Sequence, residues 1–368
     1  MKWSGKIGIT IILNSIKMTL TPSEQKQYDR HLILEDIGLE GQLKLKQAKV
    51  LIIGAGGLGC PILQYLTAAG VGTIGIVDND TVSQSNLQRQ IVYTHQDIGK
   101  NKAESAIKHL KLLNPYIKFE SYNLRLTTDN ALDVMRPYDI IIDGTDNFPT
   151  RYLINDAAVL LKKPVVFGSI FKFEGQVSVF NYNNGPTYRC LFPTPPKPNA
   201  VPNCSDVGVL GVLPGLIGVL QANEVFKIIS GLGDVLSGKL LTYNMLTMAQ
   251  VVLNFKKNDT IQLKSLENNY EFACGITTNH LKITINELNK ESEKYNLLDV
   301  REHEERALYH IGGQHIPLGE LENRTHEVFT DKDLVVYCKS GFRSQKAIQI
   351  LNDEGLDLVI LQLEALNI

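Results

Sequence analysis

An apolar run over residues 49–53 leads straight into Gly54-Ala55-Gly56-Gly57-Leu58-Gly59, and an apolar stretch of helical length follows over 61–69. Strand, tight glycine turn and helix are the reading this pattern supports. A second run, Thr73-Ile74-Gly75-Ile76-Val77, ends on Asp78, so residues 49–80 make one βαβ unit of the roughly 30 residues a dinucleotide fingerprint requires. The rhythm continues with helix 102–113, strand 118–123, helix 128–135, strand 139–143, helix 149–161 and strand 164–168. Such alternation predicts a parallel sheet flanked by helices.

After Gly168 the pattern changes to strand-like alternation, as in Gly175-Gln176-Val177-Ser178-Val179-Phe180, and then to a Pro- and Asn-rich loop over 183–202. A structureless loop of that length is usually functional or mobile. An apolar helix is expected over 210–229, strands over 240–254, and a polar linker over 257–279. The remainder repeats an α/β rhythm on a smaller scale: helix 284–295, strand 297–300, strand 334–337, helix 344–354. The expected organisation is an N-terminal extension over 1–20, a large α/β domain over 21–256, the linker, and a small α/β domain over 280–368. No internal repeat, heptad run or low-complexity tract interrupts it.

Composition narrows the function classes. Length of 368 residues suits about two domains. A formal net charge of −2 gives no electrostatic reason to expect nucleic acid or anionic membrane as a partner. Residues 7–13 are apolar, but too short for a membrane span of about 20 residues. They read as part of a loosely held extension, and Met18 offers a second start. Five cysteines, Cys60, Cys190, Cys204, Cys274 and Cys338, are odd in number and widely spread, which fits a reducing cytoplasm better than a secreted disulfide scaffold.

The glycine turn by itself says little, because many Rossmann-like folds use it for NAD or FAD. Gly54 and Gly56 are read as permitting the turn, and Gly59 as allowing close helix–strand approach. Asp78, closing the second strand, would bind a ribose hydroxyl of any adenosine ligand. The residues downstream discriminate. Ser85-Asn86-Leu87-Gln88-Arg89-Gln90 follows the second strand, and Lys102 opens the next helix. Two cations within reach of one nucleotide suit a triphosphate better than a hydride carrier, because an attacked phosphate accumulates charge. Asp143-Gly144-Thr145-Asp146-Asn147 ends a later strand. A carboxylate at that edge can hold Mg²⁺ against phosphates, or Asp146 can simply cap the helix that follows.

These segments, with Tyr28-Asp29-Arg30-His31-Leu32-Ile33-Leu34 before them, resemble the signature set of the molybdopterin-synthase adenylyltransferase and ThiF family, relatives of ubiquitin-activating enzymes. The likeness runs over about 21–255. It implies a Rossmann-like, mostly parallel sheet of the ubiquitin-activating type and a MgATP site made by Gly54, Gly56, Gly57, Asp78, Ser85, Asn86, Leu87, Gln88, Arg89, Lys102, Asp146 and Asn147. Asp146 would take the metal, Arg89 and Lys102 the phosphates, and Arg30 would reach the neighbouring subunit's site in a homodimer. The reaction it implies joins AMP to the C-terminal glycine of a ubiquitin-fold protein ending in Gly-Gly.

Tyr188-Arg189-Cys190-Leu191 and Phe272-Ala273-Cys274-Gly275 fall where that family carries paired Cys-x-x-Cys motifs for zinc, but Thr187 and Glu271 replace the first cysteine of each. Two thiolates make a poor tetrahedral site, so no zinc is expected, and Cys190 and Cys274 are read as small hydrophobes. Cys204 stands in the long loop, where rhodanese-fused relatives carry a cysteine proposed to attack the acyl-adenylate. Cys338-Lys339-Ser340-Gly341-Phe342-Arg343-Ser344 joins a strand to a helix. A thiol there faces backbone N–H groups at a helix N-terminus, which favours a thiolate or persulfide, and Arg343 adds charge. With Leu298-Asp299-Val300-Arg301-Glu302 and His310-Ile311-Gly312-Gly313 upstream, 280–368 is similar to rhodanese domains, although it stops short of their usual glycine-rich turn and last helix. A sulfur donor such as a cysteine desulfurase or thiosulfate is implied. The competing readings are an NAD-dependent oxidoreductase and an adenylyltransferase whose rhodanese part only docks partners.

Overall fold

The computed structural model describes residues 19–195, 208–267, 270, 281–339, 341–356 and 359–363. The chain divides into two compact units at Gly275/Ile276.

In the first unit, β1 (Lys49–Ile53) lies in the interior of an eight-stranded sheet with β2 (Thr73–Val77) and β3 (Lys118–Tyr122) on one side. On the other side come β4 (Ile140–Asp143), β5 (Val165–Phe171), β6 (Glu174–Phe180), β7 (Lys239–Asn244) and β8 (Gln250–Asn254). The pairs from β3 to β5 are parallel and those from β5 to β8 antiparallel. Val50, Leu51 and Ile52 have no exposed surface, as expected of a strand covered by helices on both faces. One face packs on the helices Gly59–Ala69 and Lys102–Leu113, the other on Ala131–Met135 and Phe148–Leu161.

The helix expected from residue 128 begins only at Ala131, because the Asn130 side chain closes the preceding turn by accepting the Thr127 N–H at 2.9 Å. The loop expected over 183–202 contains a short helix, Tyr188–Leu191. A buried carboxylate holds it: Asp156 takes both Arg189 nitrogens at 2.8 and 2.7 Å and the Tyr270 hydroxyl at 2.7 Å. Tyr270, inside the expected linker, is therefore part of this core. The helix Val212–Ser230 is long and apolar enough to cross a membrane; here Leu213, Ile217, Ala222 and Val225 are buried in the packing of this unit.

The second unit is a five-stranded, wholly parallel sheet. Its order is β11 (Gln314–His315), β10 (Tyr295–Asp299), β12 (Asp333–Tyr337), β13 (Ile360–Leu363), β9 (Leu281–Ile283). The helix Phe342–Asp353 covers one face through Ala347, Ile348 and Leu351.

Candidate active site

The glycine turn is fixed by close approach. Gly54 has φ +97°, and a Cβ there would stand 2.7 Å from the Gly144 carbonyl oxygen. At Gly59 a Cβ would lie 2.1 Å from the Gly54 carbonyl, so no side chain fits between strand and helix. Gly56 differs from expectation: it does not need the left-handed region, and a Cβ there would meet only Gln90 Nε2 at 3.8 Å. Its bareness keeps the floor of a cleft open. Asp78 ties the turn to β2, with Oδ2 accepting the Ala55 N–H at 2.8 Å and Oδ1 the Asp80 N–H at 2.9 Å. Burial pushes its carboxyl up, and Lys102 and those two N–H groups pull it back.

The cleft holds about 580 Å³ and is walled by Gly54, Gly56, Gly57, Asp78, Arg89, Lys102, Asp146 and Asn147 among others. It opens at the carboxyl ends of the parallel strands, where α/β sheets bind ligands. Lys102 is buried, and its Nζ lies 2.8 Å from the exposed Asp80. Arg89 is steadied by its bond to the Ser85 carbonyl at 3.2 Å. Ser85, Asn86, Leu87 and Gln88 do not line the cleft. Ser85 pairs with Ser83 at 3.0 Å, Asn86 accepts the Ser83 N–H at 3.1 Å, Leu87 packs on the core, and Gln88 abuts Gly211. These contacts shape the turn that carries Arg89.

Asn147, not Asp146, caps the helix that follows. Its Oδ1 accepts the Thr150 N–H at 3.0 Å. Asp146 is left exposed in the cleft wall with no partner among the described residues.

Sequence reasoning missed Arg151, which also lines the cleft. It is buried, donates to Asp143 at 3.3 Å and to the Thr145 carbonyl at 3.1 Å, and stacks 4.9 Å from the Phe167 ring centre. Its spacing of four from Asn147, one helical turn, was the available signal. Arg125 and Gln90 are further cleft residues not singled out. Arg30, on the short helix Asp29–Leu32, is exposed and is not in the wall of its own chain's cleft.

In the second unit Cys338 follows β12 and is only 1% exposed. Its sulfur takes the Ser344 N–H at 3.3 Å and lies 3.5 Å from the Ser344 hydroxyl. Arg343 is not directed wholly at the thiol, because it clamps Glu305 with both nitrogens at 2.5 and 2.7 Å, and that bond holds the Glu305 carboxyl below its ordinary value. Cys190 corrects the small-hydrophobe reading: it is half-buried and its sulfur accepts N–H groups from Thr187 and Asn258, each at 3.3 Å. Cys204, Glu271, Cys274, Ser340 and residues 1–18 of the N-terminal extension lie outside the described residues, whereas Leu20, at its end, is buried. Among the described residues no group of three or more His, Cys, Asp or Glu could hold a metal.

A nucleotide-type cleft on a mixed sheet, followed by a small parallel unit with a cysteine turn, defines a class. The chain belongs to the ThiF family, whose model matches residues 28–263, and the rhodanese-like domain model matches 284–363.

Its relatives narrow that class. A "Sulfur carrier protein adenylyltransferase" of Thermus thermophilus is 49% identical over 70% of this chain and 100% of the relative. The "Probable adenylyltransferase/sulfurtransferase MoeZ" of Mycobacterium tuberculosis is 42% identical over 93% of this chain and 92% of its own. The "Adenylyltransferase and sulfurtransferase MOCS3" of Aedes aegypti is 41% identical over 92% and 84%. Among solved structures, E. coli MccB with MccA-N7isoASN superposes with a TM-score of 0.58 at 22% identity, over 65% of this chain and 74% of that one. At that identity the likeness speaks for the fold.

Proposed function

We propose that this protein is an adenylyltransferase and sulfurtransferase. It joins AMP to the C-terminal glycine of a ubiquitin-fold sulfur carrier, then delivers sulfur from a Cys338 persulfide to yield a thiocarboxylate. The observation that carries the first half is the cleft: Arg89 and Lys102 share one glycine-floored cavity with an exposed Asp146 that has no partner among the described residues. That trio suits a triphosphate better than a nicotinamide dinucleotide, which carries fewer phosphate charges and needs no metal.

The carrier carboxylate attacks the α-phosphorus, a P–O bond forms, the α–β bridge breaks and pyrophosphate leaves. Arg89 and Lys102 supply the positive charge that the phosphates need in the transition state. Lys102 is held ready by Asp80 and can pass to the phosphates, since Asp80 is open to water. The bare Gly56 lets phosphate approach the backbone. Asp146 is a hard oxygen donor that would hold Mg²⁺. That ion, when bound, neutralises charge on the phosphates. Arg30 acts from a second copy in a homodimer.

For the second half, the Cys338 thiolate attacks the outer sulfur of thiosulfate and sulfite leaves. The persulfide's outer sulfur then attacks the acyl-adenylate and AMP leaves. A thiol, Cys204 or one in solution, cleaves the resulting disulfide to free the thiocarboxylate. This chemistry goes with a reducing, cytoplasmic setting. The full burial of Cys338 favours a second reading, a docking module that takes up no sulfur.

The test is ATP–pyrophosphate exchange with carriers of the molybdopterin, thiamine and tRNA-thiolation types, followed by intact mass of enzyme and carrier. Cys338→Ala should keep exchange near wild type and abolish the thiocarboxylate. No exchange with any carrier would end the adenylation reading, and no sulfur on wild-type Cys338 would leave the docking module.

A further inference from the structure

The Cys338 loop is tied to β13 by one side chain. Gln362 is buried, and its Nε2 donates to the Gly341 carbonyl and, at 3.2 Å, to the Ser344 hydroxyl oxygen. Gly341 has φ +84°, and a Cβ there would meet Gln362 Nε2 at 3.0 Å, so the glycine admits the amide. Two acceptors face the amide at this end. Only its NH₂ group can satisfy both, which fixes which way it points.

We infer that Gln362 is a positioning residue for sulfur transfer: it frees the Ser344 hydroxyl to stabilise Cys338 when the thiol ionises. In the thiol form the Cys338 S–H points to Ser344 Oγ, and the Ser344 O–H donates to the Gly341 carbonyl at 2.9 Å. When the thiol gives its proton to water, the sulfur needs donors. The Ser344 N–H is already there. The Ser344 O–H can turn to the sulfur without loss only if the half-buried Gly341 carbonyl keeps another donor, because an abandoned acceptor away from water costs about 1–3 kcal/mol. One N–H of Gln362 retains that carbonyl while the other fills the lone pair Ser344 exposes.

Charge alone does not do this work. Arg343 is matched by Glu305, and Asp299 by Arg301 and Arg306. Glu302, Glu304, Asp333, Tyr337, Lys339 and Lys346 are further charged or titratable groups on the strand, turn and helices packed here. Neutral donors therefore carry much of the load.

The inference rests on Cys338 being the sulfur carrier, but its test does not. Ultraviolet thiolate absorbance is followed against pH in the full chain, as the difference from the same chain carrying Cys338→Ala. Gln362→Leu should move the midpoint upward by about one pH unit, a roughly tenfold loss of thiolate at a fixed lower pH. Gln362→Glu keeps the size but presents acceptors, and should move it upward at least as far. Should the leucine variant fail to fold, the glutamate variant decides. An unchanged midpoint in a folded variant overturns the inference. Failure of the wild type to take sulfur from thiosulfate overturns the sulfur-transfer reading and leaves the titration to judge Gln362 by itself.

Discussion

Asp146 and Asp97 are both carboxylates in the first unit, and their surroundings give them opposite uses. Asp146 is exposed and unpartnered in the cleft wall. Asp146→Ala should lower pyrophosphate exchange by at least about a hundredfold, the usual scale for one group stabilising transition-state charge. Thermal stability should change by no more than about 0.5 kcal/mol, as at most surface sites. Near-normal exchange would remove Asp146 from the mechanism. Asp97 has no exposed surface, and one of its oxygens takes the Thr94 N–H and hydroxyl and the His109 ring at 2.9, 2.8 and 2.7 Å. Burial works to raise its carboxyl, but these bonds win and hold it at about 2 against an ordinary 3.8. A carboxyl depressed on folding stabilises fully above its unfolded value and loses that contribution as pH falls through the folded one. Asp97 should therefore add about 2 kcal/mol at neutral pH, lost on acidification from about 4 toward 2. Denaturant unfolding across that window should show a shallower decline in Asp97→Asn than in the parent; identical slopes would show that Asp97 has no such role.

Strand and helix meet at the glycine turn in two different ways, and the difference can be read out. Gly59→Ala drives a Cβ into a backbone carbonyl, which neither element can yield without breaking the βαβ contact. It should cost about 3 kcal/mol or more, measured by denaturant unfolding. Gly56→Ala meets nothing rigid and should leave stability within about 1 kcal/mol of wild type, while raising the KM for ATP as the methyl fills the cleft floor. A stable Gly59→Ala, or a Gly56→Ala with unaltered KM, would contradict this division. Elements of this kind were legible in the sequence because periodicity and glycine spacing are local. The helix Lys102–Leu113 lies where its pattern put it. What the pattern could not show is side-chain traffic between distant segments. The resemblance implies Ser85–Gln88 as ligand contacts, but it could not show the bonds these residues make within their own turn, which carries Arg89. Arg151 and Gln362 were missed for the converse reason: neither belongs to a contiguous motif, Arg151 bonding back across a turn to Asp143 and Thr145 and Gln362 reaching Gly341 and Ser344 from another strand.

At the scale of the molecule, Arg30 makes a testable claim about assembly. It is exposed and absent from its own cleft wall, so Arg30→Ala should lose exchange activity, and mixing it with Asp146→Ala should restore part of it through dimers that combine one intact site. Mixed dimers verified by mass that stay inactive would place Arg30's action within one chain. The sheet order has a consequence for synthesis. β1 lies between β2 and β4, and Val50 pairs with Ile140, so the central ribbon gains its second neighbour only after some ninety further residues have been made. Pairings so distant along the chain form slowly, because loop closure precedes any gain from contact. In that interval β1 and β2 stand as two apolar ribbons with an open edge, the form in which nascent chains most readily pair with one another.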